Sequence, residues 1–161
     1  MNDYEPRTIP KPKVKLDDFG ANVHRQIAAL NSDKATQVLV TGNARSGKTS
    51  ILALLAEVVM RKRQGPILYL SPDHAADFMI HLGRQGKVLE QAIQRYNYIL
   101  LDDLRCRMTP VVNQAVGRII TAATDYDLLF WVVAADEDLK ALVSSIGNGA
   151  DKLLHFARLS L

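Results

Sequence analysis

The sequence has almost no cysteine, no long apolar run and little net charge, and each scarcity excludes a class of protein. Cys106 is the only cysteine among 161 residues, so the chain can form neither an internal disulfide nor a cysteine-based metal site. No run approaches the roughly 18 uninterrupted apolar residues of a membrane-spanning helix. Residues 1–15 also lack the apolar centre of a secretory signal. We therefore expect a cytoplasmic protein that has no membrane partner.

The net charge is only +3, which is too small to indicate a nucleic-acid partner by itself. Hydrophobic residues make up 48% of the chain and charged residues 23%, which is typical of a soluble globular protein with its own core. Prolines and lysines are concentrated near the N terminus. We interpret residues 1–15 as an extended, basic, proline-rich arm and residues 16–161 as one domain.

Short strand-like runs alternate along the chain with longer runs of helical period. The strand-like runs are QVLVTG, PILYLS, YILLDD, LLFWVVAA and HFARLSL, and helical periods cover residues 17–31, 48–63, 73–84, 88–96, 110–124 and 137–145. Ser71 and Thr109, each followed by proline, are predicted to start helices. This alternation predicts an α/β domain with a mostly parallel sheet. Ligands of such sheets bind beyond the carboxyl ends of the strands, and the most unusual residues here follow Thr41 and Leu101.

Residues 42–49, GNARSGKT, match the phosphate-loop pattern G-x-x-x-x-G-K-[ST] at every position, between a strand-like run and a helical run. Gly42 and Gly47 permit backbone conformations that turn N–H groups towards a phosphate. Lys48 is expected to reach the β- and γ-phosphates, and the Thr49 hydroxyl to ligate Mg²⁺. The pattern does not require Arg45, which we expect in solvent rather than on phosphate. The predicted nucleotide-binding residues are Gly42, Asn43, Ala44, Arg45, Ser46, Gly47, Lys48, Thr49 and Ser50.

Residues 98–103, YILLDD, are an apolar strand that ends in two carboxylates. Alone this pattern is common, because strands often run into aspartate turns. When a phosphate loop precedes such a strand in the sequence, the two carboxylates can have a function. Asp102 would hold Mg²⁺ through water, and Asp103 could position or polarise the attacking water. More than fifty residues separate Lys48 from this strand, which leaves room for an extra strand between the two. That spacing is typical of additional-strand P-loop ATPases rather than of simple nucleotide kinases.

These segments and their order resemble those of the AAA+ ATPases. Within that family they are similar to the DnaA-type initiator and helicase-loader group, which includes the Hda-like regulators. The resemblance is carried by LDDF at 16–19, by the loop and its helix at 38–59, by residues 67–104 and by FWVVAAD at 130–136. It implies a three-layer αβα fold, a five-stranded sheet in the order 5-1-4-3-2, and ATP or ADP with Mg²⁺ as cofactors. It also makes Asp136 the polar sensor of the γ-phosphate. The catalytic residues implied are Lys48, Asp102, Asp103 and Asp136.

Two departures from the family pattern lower the expected rate of hydrolysis. Lys152 is the only cation near the place where relatives carry an arginine that reaches a neighbour's nucleotide, and a lysine is a poor substitute for a guanidinium. The sequence ends at Leu161, where the fifth strand should end, so the family's helical lid is not expected. We expect slow ATP hydrolysis at best and an altered ability to form filaments.

The function implied is that of a nucleotide-switched regulator or accessory factor in replication initiation or helicase loading. Its expected partners are an initiator, a helicase or a related AAA+ protein, with self-association open. The insert at 72–97 also makes His81, Arg84 and Lys87 candidates for contact with single-stranded DNA.

Two alternatives stay open. One is a nucleotide-binding recruitment module without turnover, which the missing arginines favour. The other is a small-molecule kinase, for which Arg84 and Arg95 would have to serve as lid arginines. The four histidines have no metal-ligand spacing, and His155 is assigned to the start of the last strand. Cys106 has no paired base and is not predicted to be catalytic.

Overall fold

A computed structural model describes residues 11–13, 15–32, 37–43, 45–62, 66–96, 98–126, 129–134, 138–147 and 149–161. The strands are β1 Gln37–Thr41, β2 Ile67–Leu70, β3 Tyr98–Leu104, β4 Leu129–Ala134 and β5 Ala157–Ser160. The helices are α1 Ala21–Ser32, α2 Lys48–Lys62, α3 Pro72–Arg84, α4 Leu89–Ile93, α5 Pro110–Asp125 and α6 Leu139–Ile146. Short 3₁₀ helices at Leu16–Asp18 and Ala150–His155 precede α1 and β5. Each strand overlaps one of the predicted runs.

The five strands form one parallel sheet in the order β2-β3-β4-β1-β5. Read from β5, this is the order 5-1-4-3-2 that the resemblance implies. Strand β1 lies between β4 and β5, and only β4 separates it from β3. Because all the strands are parallel, the loop after β1 and the carboxylates of β3 lie at the same edge of the sheet.

Alternate side chains of the sheet enter two separate cores. Leu39 of β1 and Leu101 of β3 pack on one face against α3, α4 and α5. Val38 and Val40 of β1 pack on the other face against α1 and α2. Helices therefore cover both faces, which gives the three layers of an αβα sandwich and explains why the strands are near-continuous apolar runs.

Side-chain caps begin α5 and α6, and of the two helix starts predicted from the sequence only the one at Thr109 has such a cap. The Thr109 hydroxyl accepts a hydrogen bond from the Val112 amide at 3.4 Å, with Pro110 in the first turn of α5. Asp138 caps α6 in the same way, by accepting from the Ala141 amide at 3.1 Å. Ser71 precedes α3 without a side-chain cap, and its hydroxyl is instead hydrogen-bonded to His74 Nδ1.

The first predicted helix is divided. The structure has a 3₁₀ helix at Leu16–Asp18 and begins α1 only at Ala21, where residues 17–31 predict one helix. The carboxylate of Asp18 accepts from the Lys15 amide at 2.8 Å and closes a local turn. An aspartate that bonds its own neighbourhood in this way favours a turn over a continuing helix.

The other differences are at element ends. The pattern at 88–96 yields only the five residues Leu89–Ile93 of α4. His155 does not begin the last strand, because it ends the 3₁₀ helix Ala150–His155. Extended backbone begins at Phe156, with φ −71° and ψ 145°, and β5 follows from Ala157. None of the helices in the described ranges is both long and apolar enough to cross a lipid bilayer.

Strand β5 connects helix α1 to the loop after β1. The side-chain amide of Gln26 bonds the outer edge of β5 twice: Nε2 donates to the Ser160 carbonyl at 3.0 Å, and Oε1 accepts from the Ser160 amide at 2.8 Å. On the inner edge, the Leu161 amide donates to the Thr41 carbonyl at 2.8 Å. A side chain at Gly42 would place its Cβ 3.1 Å from Leu161 Cβ, so the end of the chain packs directly beside the loop.

Candidate nucleotide site

The loop at 42–49 leaves the carboxyl end of β1 and leads into the first turn of α2, as its motif predicts. Two of its residues have left-handed backbone, Arg45 with φ 64° and Gly47 with φ 92°. At Gly42 a Cβ would lie 2.6 Å from Ser46 Oγ, and at Gly47 it would lie 3.1 Å from the ring of Phe19. A Cβ at either position would therefore be crowded, and at Gly47 it would also be strained, because L residues rarely adopt its backbone angle.

The Lys48 side chain turns back into this loop. The residue is only 8% exposed, and its Nζ donates to the Gly42 carbonyl at 2.9 Å, to the Asn43 carbonyl and to Ser46 Oγ at 3.3 Å. A buried ammonium group requires such acceptors, because desolvation without them is costly. The loop thus holds a positive charge beside the N-terminal end of α2, where a helix favours anions.

Asp102 is a buried carboxylate at the carboxyl end of β3, 4% exposed, with a hydroxyl group on each oxygen. Thr49 Oγ1, in the first turn of α2, donates to Oδ1 at 3.2 Å. Tyr69, in β2, donates its phenolic hydroxyl to Oδ2 at 2.5 Å. The structure therefore brings together Thr49 and Asp102, the two residues predicted to hold the metal.

Asp103 lies on the surface, although it is the next residue in the chain. The pairing of β3 with β4 shifts register between Leu101 and Leu104, and Asp103 has a left-handed φ of 59°. Such an irregularity redirects side chains at a strand end. The Asp103 side chain is 60% exposed and its Oδ2 pairs with Arg105 Nη1 at 3.2 Å. Its role beside an attacking water stays a prediction.

The oxygen atoms of Thr49 and Asp102 suit a magnesium ion that is bound mainly by phosphate and water. In the part of the chain that the structure describes, no group of three or more His, Cys, Asp or Glu side chains could hold a metal. Mg²⁺ commonly uses one or two carboxylates together with the phosphates of its nucleotide. A hydroxyl and a carboxylate oxygen already 3.2 Å apart fit that requirement.

The remaining predicted residues differ in their positions. Asn43 and Arg45 are exposed, and Arg45 agrees with the expectation of solvent contact. Ser50 is buried and its hydroxyl accepts from the Lys13 amide at 3.3 Å. Ala44 and Asp136 lie outside the described residues. Lys152, the candidate replacement for the family's arginine, forms an ion pair with Asp125 at 3.7 Å.

Two contacts of the site are not predicted from the sequence. The backbone of Lys13 reaches α2 through Ser50, so part of the N-terminal segment packs beside the loop. Tyr69 reaches Asp102 from the neighbouring strand. A signal for the second contact exists, because Tyr69 is the only residue of the apolar strand β2 whose side chain carries a hydrogen-bonding group, and a buried tyrosine hydroxyl usually finds a partner.

Comparison with solved structures defines the class of fold. A structure of AMPPCP-bound DnaA from Aquifex aeolicus matches with a TM-score of 0.67 and 17% identity, over 94% of this chain and 50% of that chain. The replication initiator DnaA bound to AMPPCP and single-stranded DNA matches with a TM-score of 0.67 and 16% identity, over 94% and 50% of the two chains. The DnaC helicase loader matches with a TM-score of 0.66 and 14% identity, over 98% of this chain and 93% of that chain. No family model and no curated protein matches the sequence.

The chain has the fold of these DnaA and helicase-loader structures, and the resemblance that the sequence indicates is confirmed at the level of the fold. It spans about half the length of the DnaA chains that it matches. At identities of 14% to 17%, the likeness establishes the fold and assigns no role to a residue. Those roles depend on the contacts within the site itself.

Proposed function

We propose that this protein binds ATP or ADP together with Mg²⁺ at the loop of residues 42–49 and acts as a nucleotide-switched factor in replication initiation or helicase loading. The observation that carries the first part is the contact between Thr49 and Asp102 directly beside a loop that encloses Lys48. A charged lysine, a helix N terminus and a hydroxyl–carboxylate pair supply what a magnesium-bound polyphosphate requires. The fold supports the second part, because its matches include an initiator and a helicase loader.

Each residue of the site has a distinct task in this proposal. Lys48 exchanges the carbonyl oxygens of the loop for phosphate oxygens, which are stronger acceptors because they are charged. Thr49 and Asp102 hold Mg²⁺, directly or through water, from the side of α2 and β3. The ion would neutralise charge on the β- and γ-phosphates. Gly42 and Gly47 let the loop backbone turn without side chains that would crowd Ser46, Leu161 or Phe19.

Slow hydrolysis is the expected chemical activity. An arginine supplied by a neighbour is worth a factor of about 10³ to 10⁵ in phosphoryl transfer, and Lys152 is already paired with Asp125. Asp103 is paired with Arg105 on the surface. A recruitment module without turnover is the second candidate, and the Asp103–Arg105 pair favours it, because the carboxylate proposed to position water is engaged elsewhere.

Nucleotide would act as a switch through the elements around Asp102. A γ-phosphate and its ion bias the loops that contact them, and a partner then detects the difference. The proposed partners are an initiator, a helicase or another AAA+ protein, including a second copy of this chain. Single-stranded DNA is a further candidate ligand, at His81, Arg84 and Lys87 near the C-terminal end of α3. Arg84 is exposed there and the other two are half-buried.

The nucleotide site is tested by measuring the binding of a fluorescent ATP analogue and the thermal shift that ATP causes. Lys48→Ala should abolish both signals, because it removes the ammonium group from the loop. Lys140→Ala is the matched control, since Lys140 is an exposed lysine of α6 and belongs neither to the loop nor to α2. An unchanged melting shift in Lys48→Ala would contradict the proposed site.

The role in replication is tested separately with purified proteins. A replicative helicase and an initiator are each mixed with this chain in the presence of ATP, ADP or no nucleotide, and complexes are separated by size. We expect one of them to form a complex whose amount depends on the nucleotide, and Lys48→Ala to remove that dependence. Complex formation that is equal in all three conditions would contradict a nucleotide switch.

A further inference from the structure

Tyr69 contacts the carboxylate that is proposed to hold the metal, yet it lies on a different strand from that carboxylate. It is the third residue of β2 and only 5% exposed. Its hydroxyl donates to Asp102 Oδ2 at 2.5 Å, and the bond is buried. The opposite oxygen, Oδ1, accepts from Thr49 at 3.2 Å. The carboxylate is therefore held from both sides, by two hydroxyl groups of different elements.

The register of the sheet explains why these groups meet. Tyr69 pairs with Leu100 in the parallel ladder between β2 and β3, and both side chains enter the core that is covered by α1 and α2. Asp102 follows Leu100 by two positions, so its side chain returns to the same face of the strand. Helix α2 covers that face and carries Thr49 in its first turn.

We propose that Tyr69 is a positioning residue that fixes the orientation of the Asp102 carboxylate for Mg²⁺. A carboxylate can rotate about the bond that joins it to Cβ, which exchanges the positions of its two oxygens. The phenolic hydroxyl occupies Oδ2 and leaves Oδ1 on the side of Thr49, where the ion of the proposed function is to be held. Partners of metal-ligating carboxylates commonly set ligand geometry and metal affinity in this way. This inference rests on the nucleotide-binding function proposed above.

A purely structural role would leave a different experimental signature. A buried tyrosine hydroxyl needs a hydrogen-bond partner in any protein, so a loss of stability in Tyr69→Phe would not by itself support the proposal. Metal affinity separates the two roles, because only a positioning residue links the hydroxyl of Tyr69 to the ion. Nucleotide binding without metal should not depend on the hydroxyl, since its single proton is donated to Asp102 Oδ2.

The experiment measures binding of a fluorescent ATP analogue to the full chain, first in EDTA and then during a Mg²⁺ titration. We expect Tyr69→Phe to raise the Mg²⁺ concentration at half-saturation by about tenfold. The dissociation constant in EDTA should change by less than about twofold. Tyr98→Phe is the matched control, because Tyr98 is also a buried strand tyrosine, at 4% exposure, but it lies at the opposite end of β3 from Asp102.

A second variant tests whether Tyr69 acts through Asp102. In an Asp102→Asn background the oriented carboxylate is already lost, so Tyr69→Phe should cause no further change in the Mg²⁺ titration. An additional tenfold loss in that background would overturn the proposal. So would an unchanged titration in Tyr69→Phe alone, or an equal change in Tyr98→Phe.

Failure of the proposed function would be recognised in the wild-type protein, which would then bind no nucleotide in EDTA or in Mg²⁺.

If Tyr69→Phe does not fold, a fluorinated tyrosine at position 69 keeps the side-chain shape and alters the strength of the hydrogen bond. The Mg²⁺ half-saturation point should then shift with fluorination at position 69 and stay constant with fluorination at 98. A constant value in both proteins would overturn the proposal.

Discussion

Lys48 Nζ and the carbonyl oxygen of Gly42 are joined by a hydrogen bond of 2.9 Å. This bond connects the lysine of the phosphate-loop motif to the first glycine of the motif and folds the side chain into the loop. The same ammonium group also donates to Ser46 Oγ at 3.3 Å. The loop is thus organised around its own positive charge, and a nucleotide would take over acceptor positions that are already arranged around the lysine.

Gly47→Ala should damage both the loop and the fold. An added Cβ would lie 3.1 Å from Phe19 Cζ, at a residue with a left-handed φ of 92°. Strain of this kind costs about 1 to 3 kcal/mol in the free energy of unfolding, and the altered loop should lose the thermal shift caused by ATP. Denaturant melts with and without ATP measure both effects.

Gly83→Ala is the control for that substitution. Gly83 is exposed near the end of α3, and apart from its own stretch of helix backbone no atom lies within 4 Å of the added Cβ. Alanine is the better helix former, so stability should stay constant or rise by up to about 1 kcal/mol. If Gly47→Ala behaved like Gly83→Ala and kept its response to ATP, the described loop conformation would not be needed for binding.

Asp102→Asn should weaken the dependence of binding on Mg²⁺ more than it weakens binding itself. The substitution removes the negative charge near Thr49 while it keeps the size of the side chain. Calorimetric titration with ATP in EDTA should give similar dissociation constants for the variant and the wild type, whereas the gain on adding Mg²⁺ should shrink by about tenfold or more. If the ATP affinity fell equally with and without Mg²⁺, Asp102 would stabilise the protein structure and would not hold the ion.

The sequence predicted the parts of this site that depend on local patterns. The glycines and Lys48 follow a motif whose spacing is set by the loop itself, and Asp102 follows from the position of an acidic pair at the end of an apolar strand. The loop and Asp102 lie close together because the carboxyl ends of parallel strands lie at the same edge of the sheet. Strand positions were equally predictable, because each apolar run is short and bounded by turn residues.

The parts that could not be predicted depend on register and on irregular backbone. The sequence predicts different roles for Asp102 and Asp103 but not their different burial. The pairing of β3 with β4 shifts register between Leu101 and Leu104, and there Asp102 is buried while Asp103 is exposed. The contact of Tyr69 with Asp102 requires the alignment of β2 against β3, which no local pattern specifies. The first helix is divided beside a hydrogen bond from the Lys15 amide to the Asp18 carboxylate, and such a local bond competes with helix formation.

Asp103→Asn should separate binding from hydrolysis. The side chain is exposed and its ion pair with Arg105 is a surface pair, so stability should change by less than about 1 kcal/mol. The dissociation constant for ATP should stay within about twofold of the wild-type value, whereas phosphate release should fall by about 10²-fold or more if Asp103 positions the attacking water.

Asp77→Asn provides the matched control for Asp103→Asn. Asp77 is an exposed aspartate of α3, outside the phosphate loop and the strand that carries Asp102. Phosphate release should be unaffected by that change. If the wild type releases no phosphate above the Lys48→Ala background, the module without turnover becomes the better description of this protein.

Gln26→Ala should loosen the end of β5 and, through it, the start of the phosphate loop. The substitution removes both hydrogen bonds to Ser160, and each such bond contributes about 1 kcal/mol. Exchange of the Leu161 amide, which bonds the Thr41 carbonyl, should accelerate because the strand that carries it loses its outer support. Hydrogen exchange with residue resolution measures this directly.

Asn22→Ala, one turn earlier on the exposed side of α1, serves as the reference for general loosening of that helix. We expect the Leu161 amide of Asn22→Ala to exchange at the wild-type rate.

Because Leu161 packs 3.1 Å from the position of a Cβ at Gly42, Gln26→Ala should also weaken ATP binding by a few-fold. Faster exchange without any change in ATP affinity would show that the phosphate loop keeps its shape independently of β5.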